Sequence, residues 1–91
     1  MENNKNVRIL VVDDEEPVLH LVELLLRRVG YTPILAHNAK EAADILKQKP
    51  LPDLMILDLM MPGISGIELL RQMRSRDVFD NLPVVILSAL A

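Results

Sequence analysis

A short apolar run, Leu54 to Leu57, ends directly at Asp58, and turn residues close it on both sides. A run of this length is too short for a stable helix, and its lack of alternation is typical of a strand buried on both faces of a parallel sheet. Because a carboxylate is rarely buried without a partner, we expect Asp58 to lie where the strand leaves the sheet and meets solvent. Taken alone, Asp58 also fits the simpler interpretation of a residue that caps the following loop.

Two more apolar runs end in polar residues in the same way. Val7 to Val12 leads into Asp13 and Asp14, and Val84 to Leu87 leads into Ser88. Three buried strands that each end in a carboxylate or a hydroxyl are hard to attribute to loop capping. Since ligands bind at the carboxyl ends of parallel strands, we interpret these ends as one functional site.

Helical periodicity and turn residues divide the chain into alternating strands and helices. The predicted strands are 7–12, 32–36, 54–57 and 84–87, and the predicted helices begin near 17, 38 and 67. Pro33 suits an edge position for the second strand, because proline cannot donate to the ladder. Alternation of this kind predicts a parallel sheet with right-handed crossovers and helices on both faces. We therefore expect an α/β fold, a flavodoxin-like doubly wound parallel sheet with the strand order 2-1-3-4.

The first predicted helix, Pro17 to Val29, is more apolar than one covered sheet face requires. His20 lies in its narrow polar stripe, and we interpret it as a solvated helix residue because no second His or Cys stands one turn away. The predicted buried face has Val18, Leu21, Val22, Leu25 and Val29 at its centre, with Leu19, Leu24 and Leu26 beside them.

Composition excludes several classes of protein. The 91 residues are 51% hydrophobic, which is enough for the core of one globular domain, and the absence of cysteine excludes a disulfide framework. The net charge is -3, Lys and Arg are scattered, and there is one Tyr, one Phe and no Trp, so we expect no nucleic-acid contact. The sequence contains no recognisable signal peptide or bilayer span, so we expect a soluble, cytoplasmic domain without membrane contact.

If the first and third strands are neighbours, Asp13, Asp14 and Asp58 converge on one crevice with Ser88 beside them. Carboxylates that share a site repel one another, and a hard dication relieves that repulsion. Carboxylates, a backbone carbonyl and water are the ligands that Mg²⁺ prefers when it serves phosphoryl chemistry. The residues therefore predict a Mg²⁺ site in which one carboxylate stays free to act as a nucleophile and form an acyl phosphate.

Three segments of the chain resemble the receiver domain of two-component response regulators. They read Ile-Leu-Val-Val-Asp-Asp-Glu, Asp-Leu-Met-Ile-Leu-Asp-Leu-Met-Met-Pro-Gly and Pro-Val-Val-Ile-Leu-Ser-Ala, in that order and separated by intact helices. The resemblance implies that Asp58 is the phosphoacceptor and receives phosphate from a sensor histidine kinase. It also implies a signalling switch that assists its own phosphorylation rather than an enzyme.

The same resemblance assigns roles to the residues around the phosphoacceptor. It implies that Asp14 is a direct Mg²⁺ ligand, that Asp13 is its acidic neighbour and that the backbone carbonyl of Met60 is a further ligand. Ser88 matches the hydroxyl that senses the phosphoryl group, and the backbone amide of Ala89 helps to hold its oxygens. The metal and these donors offset charge on the transferring phosphoryl oxygens, which is most of what phosphoryl transfer requires of a protein.

The chain ends at Ala91, soon after the fourth strand, and lacks a counterpart of the family's last helix, strand and helix. We therefore expect these 91 residues to form a C-terminally incomplete receiver domain. No lysine stands at a strand end next to Asp58, so the role of the family's site lysine is left unassigned. The uncovered edge at Val84 to Ser88 and the apolar first helix, including Leu19 and Leu26, predict self-association as a homo-oligomer.

Two alternatives to a phosphoryl-accepting switch stay open. The first is a receiver-like interaction module that works without phosphorylation and associates through its uncovered sheet edge and face. The second is a phosphatase with an aspartate nucleophile. It is the weaker alternative because a second Asp would be expected two residues later as general acid, and that residue is Met60.

Overall fold

Strands and helices alternate along the chain. A computed structural model describes residues 7–61, 63 and 65–87. The strands are β1 (Arg8–Val12), β2 (Thr32–Ala36), β3 (Leu54–Asp58) and β4 (Val84–Leu87), and the helices are α1 (Glu16–Arg28), α2 (Ala39–Leu46) and α3 (Gly66–Arg74), followed by a short 3₁₀ helix at Asp77–Phe79. The predicted order of elements is confirmed, with small differences at their ends.

The described strands form one parallel sheet in the order β2-β1-β3-β4, so the predicted doubly wound topology is confirmed. β1 and β3 are neighbours, and Val12 pairs with Leu57 near their carboxyl ends. The next residues along the two strands, Asp13 and Asp58, therefore reach the same edge of the sheet. β2 is an edge strand, so Pro33, which has no backbone N–H to donate, does not break the hydrogen bonding between inner strands.

The core is split between the two faces of the sheet, because alternate residues of a strand point to opposite sides. On one face, α2 and α3 cover Leu10, Val12, Met55 and Leu57, all of which are almost fully buried. On the other face, Leu19 of α1 packs with Ile9 and Val11. Buried strand residues on both faces of the sheet therefore fix the backbone that leads into the acidic crevice.

The predicted buried face of α1 is right for Leu19, Val22 and Leu26 but wrong for its exposed members, which are Leu21, Leu24, Leu25 and Val29. Leu19 is fully buried, while Leu21, Leu24 and Leu25 are 57%, 68% and 50% exposed. The helix meets the sheet along the stripe of Leu19, Val22 and Leu26, so Leu21 and Leu25 point away from it. Despite its apolar character, α1 is too short to span a bilayer, and no other helix in the described residues is long and apolar enough to do so.

A glycine lies just beyond the end of α1. Gly30 adopts a φ of 96°, in the left-handed region that glycine enters without cost. Its N–H donates to the Arg27 carbonyl at 3.1 Å, and the Tyr31 N–H donates to the Leu26 carbonyl at 2.9 Å. This Schellman pattern satisfies the last carbonyls of the helix and turns the chain into β2.

β4 is the edge strand next to β3, and its side chains are not buried as an inner strand's would be. Val85, Ile86 and Leu87 are 50%, 42% and 36% exposed. The interpretation of Val84 to Leu87 as a buried strand is therefore wrong for the described residues, whereas the expectation of an uncovered apolar edge is met. The physical reason is that no described strand pairs with its outer side.

His37 links the start of α2 to the start of α1. Asn38 caps α2, and its side chain accepts a hydrogen bond from the Glu41 N–H at 2.8 Å. Glu41 in turn accepts from the His37 N–H at 2.7 Å and lies 3.0 Å from His37 Nδ1. On the other side of the ring, His37 Nε2 lies 2.5 Å from Glu16 Oε2. These contacts close the corner between the two helices beside the carboxyl ends of β1 and β2.

This corner is expected to make stability depend on pH. The pKa of His37 is raised, first because the Glu41 side chain accepts a hydrogen bond from the ring and also because Glu16 attracts the charged form. A raised folded-state pKa means that the stabilisation is fully present below the ordinary value of about 6.5 and is lost as pH rises through the folded pKa. His37→Gln should therefore lower the Tm at pH 5.5 and leave it unchanged at pH 9. If His37→Gln lowered the Tm equally at both pH values, an ionic role of His37 would be contradicted.

Candidate functional site

The carboxyl end of β1 places Asp13 against the sheet. Its N–H donates to the Ala36 carbonyl of β2 at 3.1 Å, which continues the ladder beyond the strand. The residue is 3% exposed, and its Oδ1 accepts the Glu15 N–H at 3.0 Å. Asp14, the next residue, is exposed. The two adjacent aspartates therefore occupy different environments, one buried and held by backbone, the other open to solvent.

The carboxyl end of β3 repeats the arrangement. Asp58 is 8% exposed, and its Oδ1 accepts the Met60 N–H at 3.0 Å. Aspartates commonly bind the backbone amide two residues ahead, and such turns fix the direction of the carboxylate. Sequence reasoning missed both amide donors, at Glu15 and Met60, although an aspartate at the start of a loop is the signal for this turn.

The three aspartates come together as predicted. One carboxylate oxygen from each of Asp13, Asp14 and Asp58 lies within 4.8 Å of the other two. The pKa of Asp13 is raised, chiefly because burial disfavours its charged form. The hydrogen bond from the Glu15 N–H lowers this pKa, whereas the negative charges of Asp58 and Asp14 raise it further. The cluster therefore concentrates negative charge at the crevice between β1 and β3.

The donor set matches a hard dication. Carboxylate oxygens close together at the end of a parallel sheet are the ligands that Mg²⁺ favours, and a dication relieves the repulsion among the three carboxylates. Met60 is 59% exposed and therefore does not belong to the core. Its backbone is directed by the hydrogen bond to Asp58, so the predicted carbonyl ligand belongs to the same turn as the predicted nucleophile.

Two predicted site residues, Ser88 and Ala89, lie outside the described residues. The described part of β4 ends at Leu87, which pairs with Asp58 across the sheet. The roles of Ser88 and Ala89 therefore stay predictions.

Comparison with known proteins gives the family. The family model of the response regulator receiver domain matches residues 9–91. Among curated proteins, the chain is 43% identical over 84 residues to the response regulator MprA of Mycobacterium bovis, and 37% identical over 81 residues to the phosphate regulon transcriptional regulatory protein PhoB of Pseudomonas aeruginosa. These alignments cover 92% and 89% of this chain but only 35% of each relative.

Solved structures give the same result. The N-terminal domain of a response regulator receiver protein from Methanoculleus marisnigri JR1 matches with a TM-score of 0.84 and 36% identity, over 90% of this chain and 66% of that one. The response regulator protein TrrA of Thermotoga maritima, in complex with Mg(2+)-BeF, matches with a TM-score of 0.82 and 37% identity, over 92% and 70% of the two chains. The chain belongs to the response regulator receiver domain family, whose members serve two-component signalling.

Proposed function

We propose that the chain is a phosphoryl-accepting switch of a two-component system and that Asp58 accepts the phosphoryl group from a phosphohistidine of a sensor kinase. The observation that supports this most is the convergence of Asp13, Asp14 and Asp58 at the crevice between β1 and β3. Loop capping accounts for each aspartate singly but gives no reason for bringing three like charges together.

In the proposed reaction, one oxygen of Asp58 attacks phosphorus while the bond from phosphorus to the kinase imidazole nitrogen breaks. The imidazole leaves with the electron pair of that bond, and the product is an acyl phosphate on Asp58. The Met60 N–H holds Oδ1, so it fixes the carboxylate while the other oxygen is the one that attacks. Asp58 is only 8% exposed, which limits the directions from which a donor can approach.

We assign the metal to Asp14, Asp58 and the backbone carbonyl of Met60, with Asp13 as an acidic neighbour that holds negative charge beside it. When bound, Mg²⁺ would neutralise charge on the phosphoryl oxygens. TrrA was solved with Mg(2+)-BeF, and the chemistry of this donor set supports the same cation here. Ser88, through its hydroxyl, and Ala89, through its amide, are proposed to donate hydrogen bonds to the phosphoryl oxygens.

Intact-mass measurement tests the proposal. Incubation with Mg²⁺ and a small-molecule phosphodonor should add one phosphoryl group to the chain, and a chelator added beforehand should prevent the addition. The uptake should be slow, because no lysine is assigned to the site. Asp58→Asn is the matched control, since it keeps a side-chain oxygen for the Met60 N–H and removes the nucleophile. Uptake that persists in the chelator would contradict the metal assignment.

A second function is favoured by the uncovered sheet edge. Val85 and Ile86 of β4 are about half exposed on a strand whose outer backbone groups meet no described strand. Natural proteins pair or cover such edges. We propose a second copy of this chain as the partner, which makes the domain an interaction module whether or not Asp58 is phosphorylated.

A further inference from the structure

Gly66, the first residue of α3, lies against the backbone of the turn that follows Asp58. A Cβ atom at this position would come within 2.3 Å of the Asp58 carbonyl oxygen and 2.7 Å of the Leu59 Cα. Non-bonded heavy atoms pack at roughly 3.5 Å, so the position has no room for a side chain. Both obstructing atoms belong to the backbone, and therefore no change of rotamer can relieve the contact.

Hydrogen bonds hold this close approach. The Gly66 N–H donates to the Leu59 carbonyl at 3.2 Å, and Gly66 is buried. The Met60 N–H, one residue further along, donates to Asp58 Oδ1 at 3.0 Å. A short stretch of backbone thus connects the start of α3 to the carboxylate of Asp58.

A second glycine in the same loop has a different physical reason. Gly63 has a φ of 76°, and a Cβ atom built on it would meet nothing within 4 Å. Its requirement is conformational, because this left-handed region favours glycine and tolerates asparagine. Gly66 begins α3 and does not have a positive φ, so glycine is required there only because a side chain would not fit. The two glycines form a matched pair in which only one touches the Asp58 turn.

We propose that Gly66 is a positioning residue of the acidic site. By lacking a side chain it lets α3 begin against the Asp58 backbone, and through that backbone it orients the Asp58 carboxylate and the Met60 carbonyl. A methyl group at this position has to displace the turn by about 1 Å, and a misplacement of that size can lower a rate on the order of 100-fold. The consequence for phosphorylation rests on the proposed function, whereas the consequence for the turn does not.

The test compares Gly66→Ala with Gly63→Asn in the 91-residue chain. Gly66→Ala should shift the amide NMR signals of Leu59 and Met60 without metal, weaken Mg²⁺ binding about 10-fold or more and slow phosphate uptake on the order of 100-fold. Gly63→Asn should leave the Mg²⁺ affinity and the uptake rate within about 3-fold of wild type. Thermal melting of both variants separates these effects from loss of stability.

The outcomes decide the inference separately from the proposed function. If the wild-type chain takes up no phosphate, the proposed function fails, and the amide shifts and the Mg²⁺ titration still decide the role of Gly66. A Gly66→Ala variant that melts lower but keeps wild-type amide shifts and Mg²⁺ affinity would overturn it. If the variant unfolds, the titration is repeated in trimethylamine N-oxide, which favours the folded state. Failure to fold even there also overturns the inference, because Gly66 would then be required for folding itself.

Discussion

Asp14→Asn is expected to weaken Mg²⁺ binding on the order of 100-fold, and Asp13→Asn on the order of 10-fold. Substitution of a residue that only hydrogen-bonds to a metal ligand typically lowers metal affinity about 10 to 100-fold. The loss of affinity on substitution of a direct ligand should therefore reach the top of that range or exceed it. Asp14 is exposed at the crevice and free to ligate, whereas Asp13 is 3% exposed and its Oδ1 is engaged by the Glu15 N–H. The difference in environment is the reason for the different expectation.

Calorimetric titration with Mg²⁺ measures both affinities, and thermal melting without metal provides the control. Removal of one charge from a cluster of like charges should leave the metal-free Tm of Asp14→Asn unchanged or higher. A loss of affinity together with an undiminished Tm separates ligation from folding. Equal losses of affinity in the two variants would contradict the assignment of Asp14 as ligand and Asp13 as neighbour.

Val85→Lys is expected to convert a dimer into a monomer at micromolar concentration. Each 100 Å² of apolar surface that a partner covers contributes about 2.5 kcal/mol before the cost of association, and pairing of edge strands adds backbone hydrogen bonds. A symmetric dimer contains the substitution twice. If each lysine costs about 1.4 kcal/mol, the dissociation constant rises about 100-fold.

Val78→Lys is the matched control for this substitution. Val78 is 51% exposed and Val85 is 50% exposed, but Val78 lies in the 3₁₀ helix rather than on the sheet edge. Leu24→Lys tests the other exposed surface, since Leu24 is 68% exposed on α1. Light scattering of the four proteins should show dissociation with Val85→Lys and none with Val78→Lys. A stable wild-type monomer would refute self-association, and dissociation by Leu24→Lys alone would move the interface to α1.

The topology and the acidic crevice could be predicted because both follow from patterns that a sequence displays directly. Apolar runs separated by helical periodicity indicate a parallel sheet, and the strand order brings the ends of β1 and β3 together. Asp13 and Asp58 then had to meet, because Val12 and Leu57 are partners in the ladder. The convergence of the site is therefore a property of the fold.

The buried face of α1 could not be predicted in the same way. A helix with leucine or valine on nearly every side has no polar pattern sharp enough to select one face, so the choice depends on how the helix crosses the sheet. Leu19 and Leu26 were expected to contribute to a partner surface, yet Leu19 is fully buried and Leu26 packs on the same sheet face. The exposed leucines are instead Leu21, Leu24 and Leu25.

The role of Gly66 could not be predicted from sequence at all. A glycine at a helix start is ordinary, and nothing in the residue order indicates that α3 approaches the Asp58 backbone so closely. The requirement arises from a short distance between two elements that are separate in sequence, and only the folded structure shows it. The amides of Glu15 and Met60 are an intermediate case, because the turn type is common after aspartate while the orientation it gives the carboxylate is visible only in the structure.

The most direct test of the account is to locate the phosphoryl group after incubation with Mg²⁺ and a small-molecule phosphodonor. Trypsin separates residues 48–71, which contain Asp58, from residues 9–27, which contain Asp13 and Asp14. Fragment masses should place the group on Asp58, hydroxylamine should remove it as expected of an acyl phosphate, and Asp58→Asn should carry none. A phosphoryl group found on another residue, or one that persists in Asp58→Asn, would contradict the assignment of Asp58 as the phosphoacceptor.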